Sequence, residues 1–318
     1  MNPGRIGAVV IQIVFVVGAA PLLAGLIRQV RARLEGRVGP PIVQPWRDLR
    51  KLWRKERIAP EHTSWVFLTA PLVLVASSVV IAMIVPLVTV ALPLDEVGDL
   101  FAVVSLLLLG TVFLALAGLD PGTAFGGMGA SREMTVAALA EPTLLLAVTA
   151  LAARAGSTNL AAIVNAALDR PSVVLSAQGV FALVALGIVT LAECARLPVD
   201  NPSTHLELTM IHEAMVLEYA GPDLALVELA ASMRLLLFGA LLANLFAPWG
   251  IATGTGVVEM LAGTVVLGMK LVLLGAFLGV FEVFVAKLRL FRVPELLAVS
   301  FVVALVAVTA SAFLGGGR

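Results

Sequence analysis

An all-α membrane protein of about eight transmembrane helices is the architecture this sequence predicts, and three observations predict it. Hydrophobic residues make up 60% of its 318 positions. Charged residues make up 13%, about half the share of an ordinary soluble domain. Mean hydropathy is +1.04, carried by apolar runs long enough to cross about 30 Å of hydrocarbon. The runs lie near 6–27, 65–92, 100–118, 133–153, 173–193, 224–247, 257–284 and 294–314. Backbone groups in lipid find no water, and these runs are too long and uniformly apolar for barrel strands, so helices are the form that satisfies them.

The first run is too long for the apolar region of a signal peptide, and no A-x-A cleavage pattern follows it. A single cysteine, Cys194, excludes a disulfide framework and an iron–sulfur or zinc site built from the chain's own cysteines. A formal net charge of zero predicts no nucleic-acid role. No internal repeat is evident, which speaks against transporter folds made of inverted halves.

Lysine and arginine set the expected orientation. The connection 28–64 carries ten: Arg28, Arg31, Arg33, Arg37, Arg47, Arg50, Lys51, Arg54, Lys55 and Arg57. Arg132, Arg196, Lys287, Arg289 and Arg292 fall on the same side, against Arg5, Arg154, Arg170 and Arg318 on the other. By the positive-inside rule the richer side is cytoplasmic and both termini face outward. The chain therefore reads as one integral membrane domain, 1–318. Its cytoplasmic loops are 28–64, 119–132, 194–223 and 285–292.

The first of these loops reads GRVGPPIVQPWRDLRKLWRKE over 36–56. Gly36, Gly39, Pro40, Pro41 and Pro45 force turns and exclude helix from its first half. A helical period starts at Trp46: Trp46, Leu49 and Trp53 share a face, with Arg47, Arg50, Lys51 and Arg54 spread around the rest. Such a segment suits the membrane interface, as a topological anchor or as a docking ledge for a cytoplasmic partner. The rigid turn before it favours docking, and Arg37, Gln44, Trp46, Arg47, Asp48, Trp53 and Arg54 are the candidate docking residues.

The most polar stretch lies between Glu193 and Pro222. It holds four glutamates, one aspartate, one arginine, two of the three histidines and the only tyrosine. Thr204 and Glu207 form a capping box, and Gly221-Pro222 reads as a helix stop. Together they predict a surface helix near 205–220, about 24 Å long. His205, His212 and Tyr219 recur on one stripe of it. Glu193, Asp200, Glu207, Glu213 and Glu218 crowd into this stretch with Arg196 as the one fixed cation. Carboxylates packed so closely beside lipid are expected to share protons, which suits proton coupling, whereas a solvated amphipathic helix would leave them idle. A metal site from His205, His212 and Glu213 lacks the H-E-x-x-H spacing and is disfavoured.

Ionisable residues also fall within or at the ends of the spans: Glu133, Glu141, Glu228, Arg234, Glu259, Lys270, Glu282 and Glu295. Each one buried near midplane costs at least about 2.5–3.5 kcal/mol. Glu141, Arg234 and Lys270 lie deepest. Pairing of Arg234 or Lys270 with a glutamate of a neighbouring helix would offset that cost, and a chain of acids leading to the central loop would read as a proton path.

These residues resemble a known family. GRVGPP…QPWRDL…KE in the first loop, GASRE at 129–133 and LPVDNPSTHLELTMIHEAMVLEYAG in the central loop are together similar to subunit 1 of respiratory complex I, the NADH-quinone oxidoreductase. The similarity is to its hydrogenase branch, the membrane subunits of formate hydrogenlyase and related group 4 nickel–iron hydrogenases. Glu193, Arg196, Pro198, Asp200, Glu218, Tyr219 and Gly221 keep the frame of the quinone-reducing branch. Ala195 and Val199 depart from it, replacing an asparagine and a phenylalanine.

The resemblance implies a non-redox membrane subunit whose cytoplasmic loops dock hydrogenase large and small subunits beside an antiporter-like membrane subunit. The nickel–iron centre and the iron–sulfur clusters would sit on those partners, with no cofactor bound by this chain, and membrane lipid would be a further partner. It implies coupling roles for Glu141, Glu193, Glu207, Glu213 and Glu218, polarised by Arg132 and Arg196; Asp200, His205 and His212 complete the candidate set. The implied location is a bacterial or archaeal cytoplasmic membrane. A subunit contributing a quinone site and a stand-alone cation–proton transporter remain the alternatives.

Overall fold

Seven helices of 20 residues or more form the bundle in the computed structural model, which describes residues 3–200, 210–289 and 292–315. In chain order the elements are α1 (Pro3–Leu34), α2 (Gln44–Leu52), α3 (Trp65–Ile84), α4 (Leu100–Leu119), α5 (Ala124–Ala155), α6 (Leu160–Asp169), α7 (Ala177–Glu193), α8 (His212–Val216), α9 (Gly221–Phe246), α10 (Val257–Phe284) and α11 (Val293–Gly315). The predicted run at 173–193 is the shorter helix α7, whose 17 residues span about 25 Å. Short polar side chains start the helices where the apolar runs begin. Ser64, Thr123, Asn159 and Ser176 accept from backbone N–H groups in the first turns of α3, α5, α6 and α7.

Two helices outrun their apolar segments at one end of the bundle. α1 continues through Arg28, Arg31 and Arg33, and α5 begins nine residues before the predicted run. That end also carries the first loop, the 194–220 connection and Lys287, and is called here the basic end. Arg154 of α5 lies at the far end, donating to Ser172 O at 2.9 Å. The charge asymmetry read from sequence is thus an asymmetry of the folded bundle.

The run predicted as helix over 65–92 breaks at Ile84, two residues before Pro86. The following stretch is irregular yet deeply buried, with Val85, Leu87, Val88 and Leu92 each at most 1% exposed. Such backbone survives at membrane depth only where protein satisfies it. Gln12 of α1, wholly buried, donates to the carbonyls of Ala82 and Val85 and accepts from the N–H groups of Leu87 and Val88. Asn244 of α9 donates to Pro86 O and Leu87 O at 3.0 and 2.7 Å. Lys270 of α10 donates to Asn244 Oδ1 and to Ala247 O at 3.3 and 2.6 Å. Its partners are an amide and a helix C-terminal carbonyl, where the sequence suggested a glutamate. The far half of the bundle is closed by this polar cluster.

The core has one large apolar cluster running from α1 through α5, α7 and α9 to α11, and a smaller one at the basic end around Phe67, Met215 and Tyr219. α10 sits at the edge against α1 and α9 and leaves Val265, Leu273, Phe277 and Phe284 outward. Trp65 at the basic end and Trp249 at the other are exposed, as amphipathic rings at two membrane surfaces would be.

Of the predicted helix over 205–220, the described part, 210–220, is helical only over the five residues of α8. Thr204, His205 and Glu207, and so the capping box, lie outside the described residues. Asp200 caps the start of the segment by accepting from the N–H groups of Ile211 and His212, both at 3.2 Å. Tyr219 ends it by turning into the core. Gly221-Pro222, read as a stop, instead opens α9, because a proline in the first helical turn loses no hydrogen bond.

Candidate proton-coupling chamber

The walls of one large cavity at the basic end come from α1, α3, α4, α5, α7, α8, α9 and α10 together with residues 37–40 and 194–196. Its volume is about 830 Å³. Small residues make the space: Ala24, Ser77, Ser78, Gly110 and Ala231 line it, and a Cβ on Gly110 would meet Ser77 Oγ at 3.4 Å. Into it project Glu133, Glu193, Arg196, His212, Glu213, Glu228, Arg234 and Glu282. An apolar shell with ionisable groups facing inward is costly, and is held by pairing.

At the rim the pairing is continuous. Glu282 of α10, 4% exposed, lies between Arg196 at 3.3 Å and Arg31 of α1 at 3.9 Å. Arg31 bonds Glu35 at 2.9 Å, and Glu35 also pairs with Arg37. The Arg31 and Arg37 guanidiniums hold the Glu35 carboxyl below the usual carboxylate range. Deeper in, Arg234 of α9 donates through Nη2 to Glu193 and to Thr111 Oγ1, the latter at 2.8 Å. Arg234 is therefore matched by a glutamate of a neighbouring helix, as the sequence suggested. Glu141 of α5 is 7% exposed, and among the described residues neither of its carboxyl oxygens has a hydrogen-bond partner.

The loop carrying these groups is tied down on three sides. Lys287 reaches Asp200 at 3.3 Å, and Leu288 N donates to Pro198 O at 3.0 Å. Arg132 of α5 donates to Met210 O at 2.9 Å. The Tyr219 ring stacks on Phe67 with centroids 4.2 Å apart and planes 8° from parallel, and its hydroxyl donates to Phe67 O at 2.9 Å. Burial, followed by the Asp223 and Asp120 charges, pushes the Tyr219 phenol well up, so it remains a donor. Arg57 bonds Asp223 at 2.6 Å, and Gly221, at φ +57°, lies under the carbonyl of Glu56 where a Cβ would collide. The first loop is thus tied directly to the end of the central loop.

Of the candidate coupling residues, Glu193, Arg196, His212 and Glu213 line the cavity. Asp200 and Arg132 organise its wall, and Glu141 lies buried within α5. Glu218 is half-buried and absent from the lining; His205 and Glu207 lie outside the described residues. Glu133, Glu228, Arg234 and Glu282 belong to the chamber although the central-loop motif does not include them. Their signal in the sequence was cost: each is a charge placed in or at the end of an apolar run.

The docking candidates divide. Trp46 Nε1 donates to Gly18 O at 3.1 Å, so Trp46 faces the bundle, and Gln44 bonds Asp48 at 2.9 Å within α2. Leu49 packs inward with Trp46, whereas Trp53 is 56% exposed and Arg37, Arg47 and Arg54 are exposed too. The face expected to be shared by Trp46, Leu49 and Trp53 is buried unevenly, with Trp53, at the C-cap of α2, left in the open.

Cys194, on the cavity wall, has its thiol pushed up to about 12 by burial. A thiol neutral at ordinary pH reacts slowly. Maleimide labelling of the folded protein at pH 8 is expected to run at least about a hundredfold slower than that of an unfolded control. Equal rates would show Cys194 to be solvated and ionisable.

Among the described residues no group of three histidine, cysteine or acidic side chains is placed to hold a metal ion. The fold and site define a helical membrane bundle with a charged chamber at one end and an exposed basic loop beside its mouth. The chain belongs to the NADH dehydrogenase family, which its residues 6–312 match. It is 35% identical over 286 residues to formate hydrogenlyase subunit 4 of Escherichia coli (strain K12), covering 90% of this chain and 92% of that protein. Hydrogenase-4 component C of the same organism is 34% identical over 296 residues, covering 93% and 92%. NADH-quinone oxidoreductase subunit 8 of Rhodothermus marinus is 28% identical over 218 residues, covering 66% and 62%. A chain of the membrane-bound sulfane sulfur reductase, an archaeal respiratory membrane complex, shares the fold with a TM-score of 0.83, at 22% identity and over 97% of this chain and 99% of that one.

Proposed function

We propose that this chain, a membrane subunit of a hydrogenase-type complex, seats a soluble hydrogenase module on its basic end and couples that module's turnover to proton movement through the chamber. The observation that carries the reading is the position of the chamber. Its acids open beside the first loop, whose Arg37, Arg47 and Arg54 are exposed, so a partner seated on that loop would sit over them. The hydrogenase relatives cover nine-tenths of the chain or more. The nickel–iron centre and clusters belong, on this reading, to the large and small subunits, with an antiporter-like subunit alongside in the membrane. The basic end faces the cytoplasm and both termini face outward, by the positive-inside rule.

The chamber's size also suits a quinone reading, since about 830 Å³ lies within the range of small-molecule sites. Purification in mild detergent with metal analysis separates the two. Nickel and iron in the purified complex support the hydrogenase reading. Iron and flavin without nickel support the quinone one. A chain that purifies alone and exchanges cations in vesicles is a transporter.

Docking has its own test. Trp53→Ala combined with Arg54→Ala removes an exposed aromatic and a cation from the proposed seat. Each anchor of this kind contributes about 1–2 kcal/mol to an interface, so recovery of the soluble subunits with the membrane chain is expected to fall at least about tenfold. Unchanged co-purification would place the seat elsewhere.

A further inference from the structure

Two buried glutamates feel the charge of the same arginine and are partnered differently: Glu193 lines the chamber, and Glu141 lies within α5, outside the lining. Glu193, at the end of α7 with its side chain 4% exposed, is met by Arg234 of α9. The same guanidinium is held from α4 by Thr111 Oγ1 at 2.8 Å and lies 6.0 Å over the Phe238 ring. Three helices thus fix where that positive charge sits. Glu141, on α5, is 7% exposed and has no donor on either oxygen among the described residues. The other charges nearby, Glu133, Arg196, His212, Glu213 and Glu228, line the wider cavity, where water can reach them.

Burying a carboxylate without a donor or counter-charge costs far more than burying the neutral acid. A fixed cation against one of two acids therefore sorts them. We propose that Arg234 is a positioning residue of the chamber: its guanidinium holds Glu193 as the ionised carboxylate and leaves Glu141 as the carboxyl that carries the exchangeable proton. The inference rests on the proton-coupling reading above and assigns the proton within it. One proton is at issue: it sits on a Glu141 carboxyl oxygen and exchanges with solvent, with Arg234 keeping its charge throughout.

Infrared spectroscopy of the detergent-extracted protein, with the subunits that accompany it, tests this through the C=O stretch of protonated carboxylic acids, which shifts on exchange into D2O. Glu141→Gln is expected to remove a protonated-acid band and Glu193→Gln to leave every such band in place. Arg234→Met is expected to add a second band that disappears in the Arg234→Met/Glu193→Gln double variant, whereas Arg234→Lys retains the wild-type spectrum. A band lost with Glu193→Gln but not with Glu141→Gln overturns the assignment. So does an Arg234→Met spectrum identical to wild type. If Arg234→Met does not accumulate, the two glutamine variants in the native background still decide. Proton-coupled turnover of Glu141→Gln reports separately on the functional reading, so a lost band with intact coupling would refute the coupling role and leave the proton assignment standing.

Discussion

Replacing Arg234 by methionine is expected to lower the stability of the membrane bundle by about 3 kcal/mol, the lower end of the range for breaking a buried ion pair. Methionine keeps much of the volume, so a void is not the cause. The cost arises because Glu193, its side chain 4% exposed, loses its counter-charge, and Thr111 Oγ1 loses a donor. Water in the chamber offsets part of it, since Arg234 itself is 18% exposed. Glu193→Gln in the same chain removes the orphaned charge, and most of the loss is expected to return. The measurements are the amount of chain in the membrane fraction and the thermal midpoint in detergent, with the coupling energy taken from the four-variant cycle. A single variant as stable as wild type would mean that water, not Arg234, neutralises Glu193.

Arg234 also shows how far the sequence could be read. An arginine ten residues into an apolar run demanded a partner on another helix, and Glu193 was among the candidates by charge alone. Which glutamate it met was not legible, because that depends on how α7 and α9 lean together. Lys270 makes the converse point. Its cost in lipid was equally visible, yet it is met by Asn244 and a carbonyl freed at the end of α9, and neither carries a charge that a sequence reading would pair with it.

The helix spans were legible because hydropathy is a property of composition. Breaks in them were less so: the apolar segment after Ile84 is as greasy as a span, and only Pro86 marks its departure from helix. The central loop was the reverse case. Its residues announced a site, but over the described residues 210–220 the helix is only five residues long, since Asp200 and Tyr219 draw both ends of that segment into the protein. Periodicity describes an isolated segment; tertiary anchors decided this one. The chamber joins residues far apart in the chain, from Arg31 to Glu282, so no local pattern could have drawn its outline.

Glu141→Gln is expected to have the largest effect on function with little effect on assembly. Glutamine is nearly isosteric, and the carboxyl it replaces makes no hydrogen bond to a described residue, so stability is expected to change by less than about 1 kcal/mol. An amide, however, cannot accept and release a proton in this range of pH. If Glu141 is the carrier, coupled turnover of the membrane complex falls by about a hundredfold, the usual contribution of a group that transfers a proton in the slow step. Glu259→Gln is the control, because Glu259 is exposed at the far end of α10, a whole bundle away from the chamber. Proton uptake and hydrogen turnover in sealed vesicles should be measured together. A loss of both places Glu141 on an obligatory path. Loss of proton uptake alone, with hydrogen turnover intact, makes it part of a path that the metal chemistry does not require. Unchanged values of both, with the protein present at wild-type amount, would remove Glu141 from the mechanism and leave its burial in α5 without a functional reason.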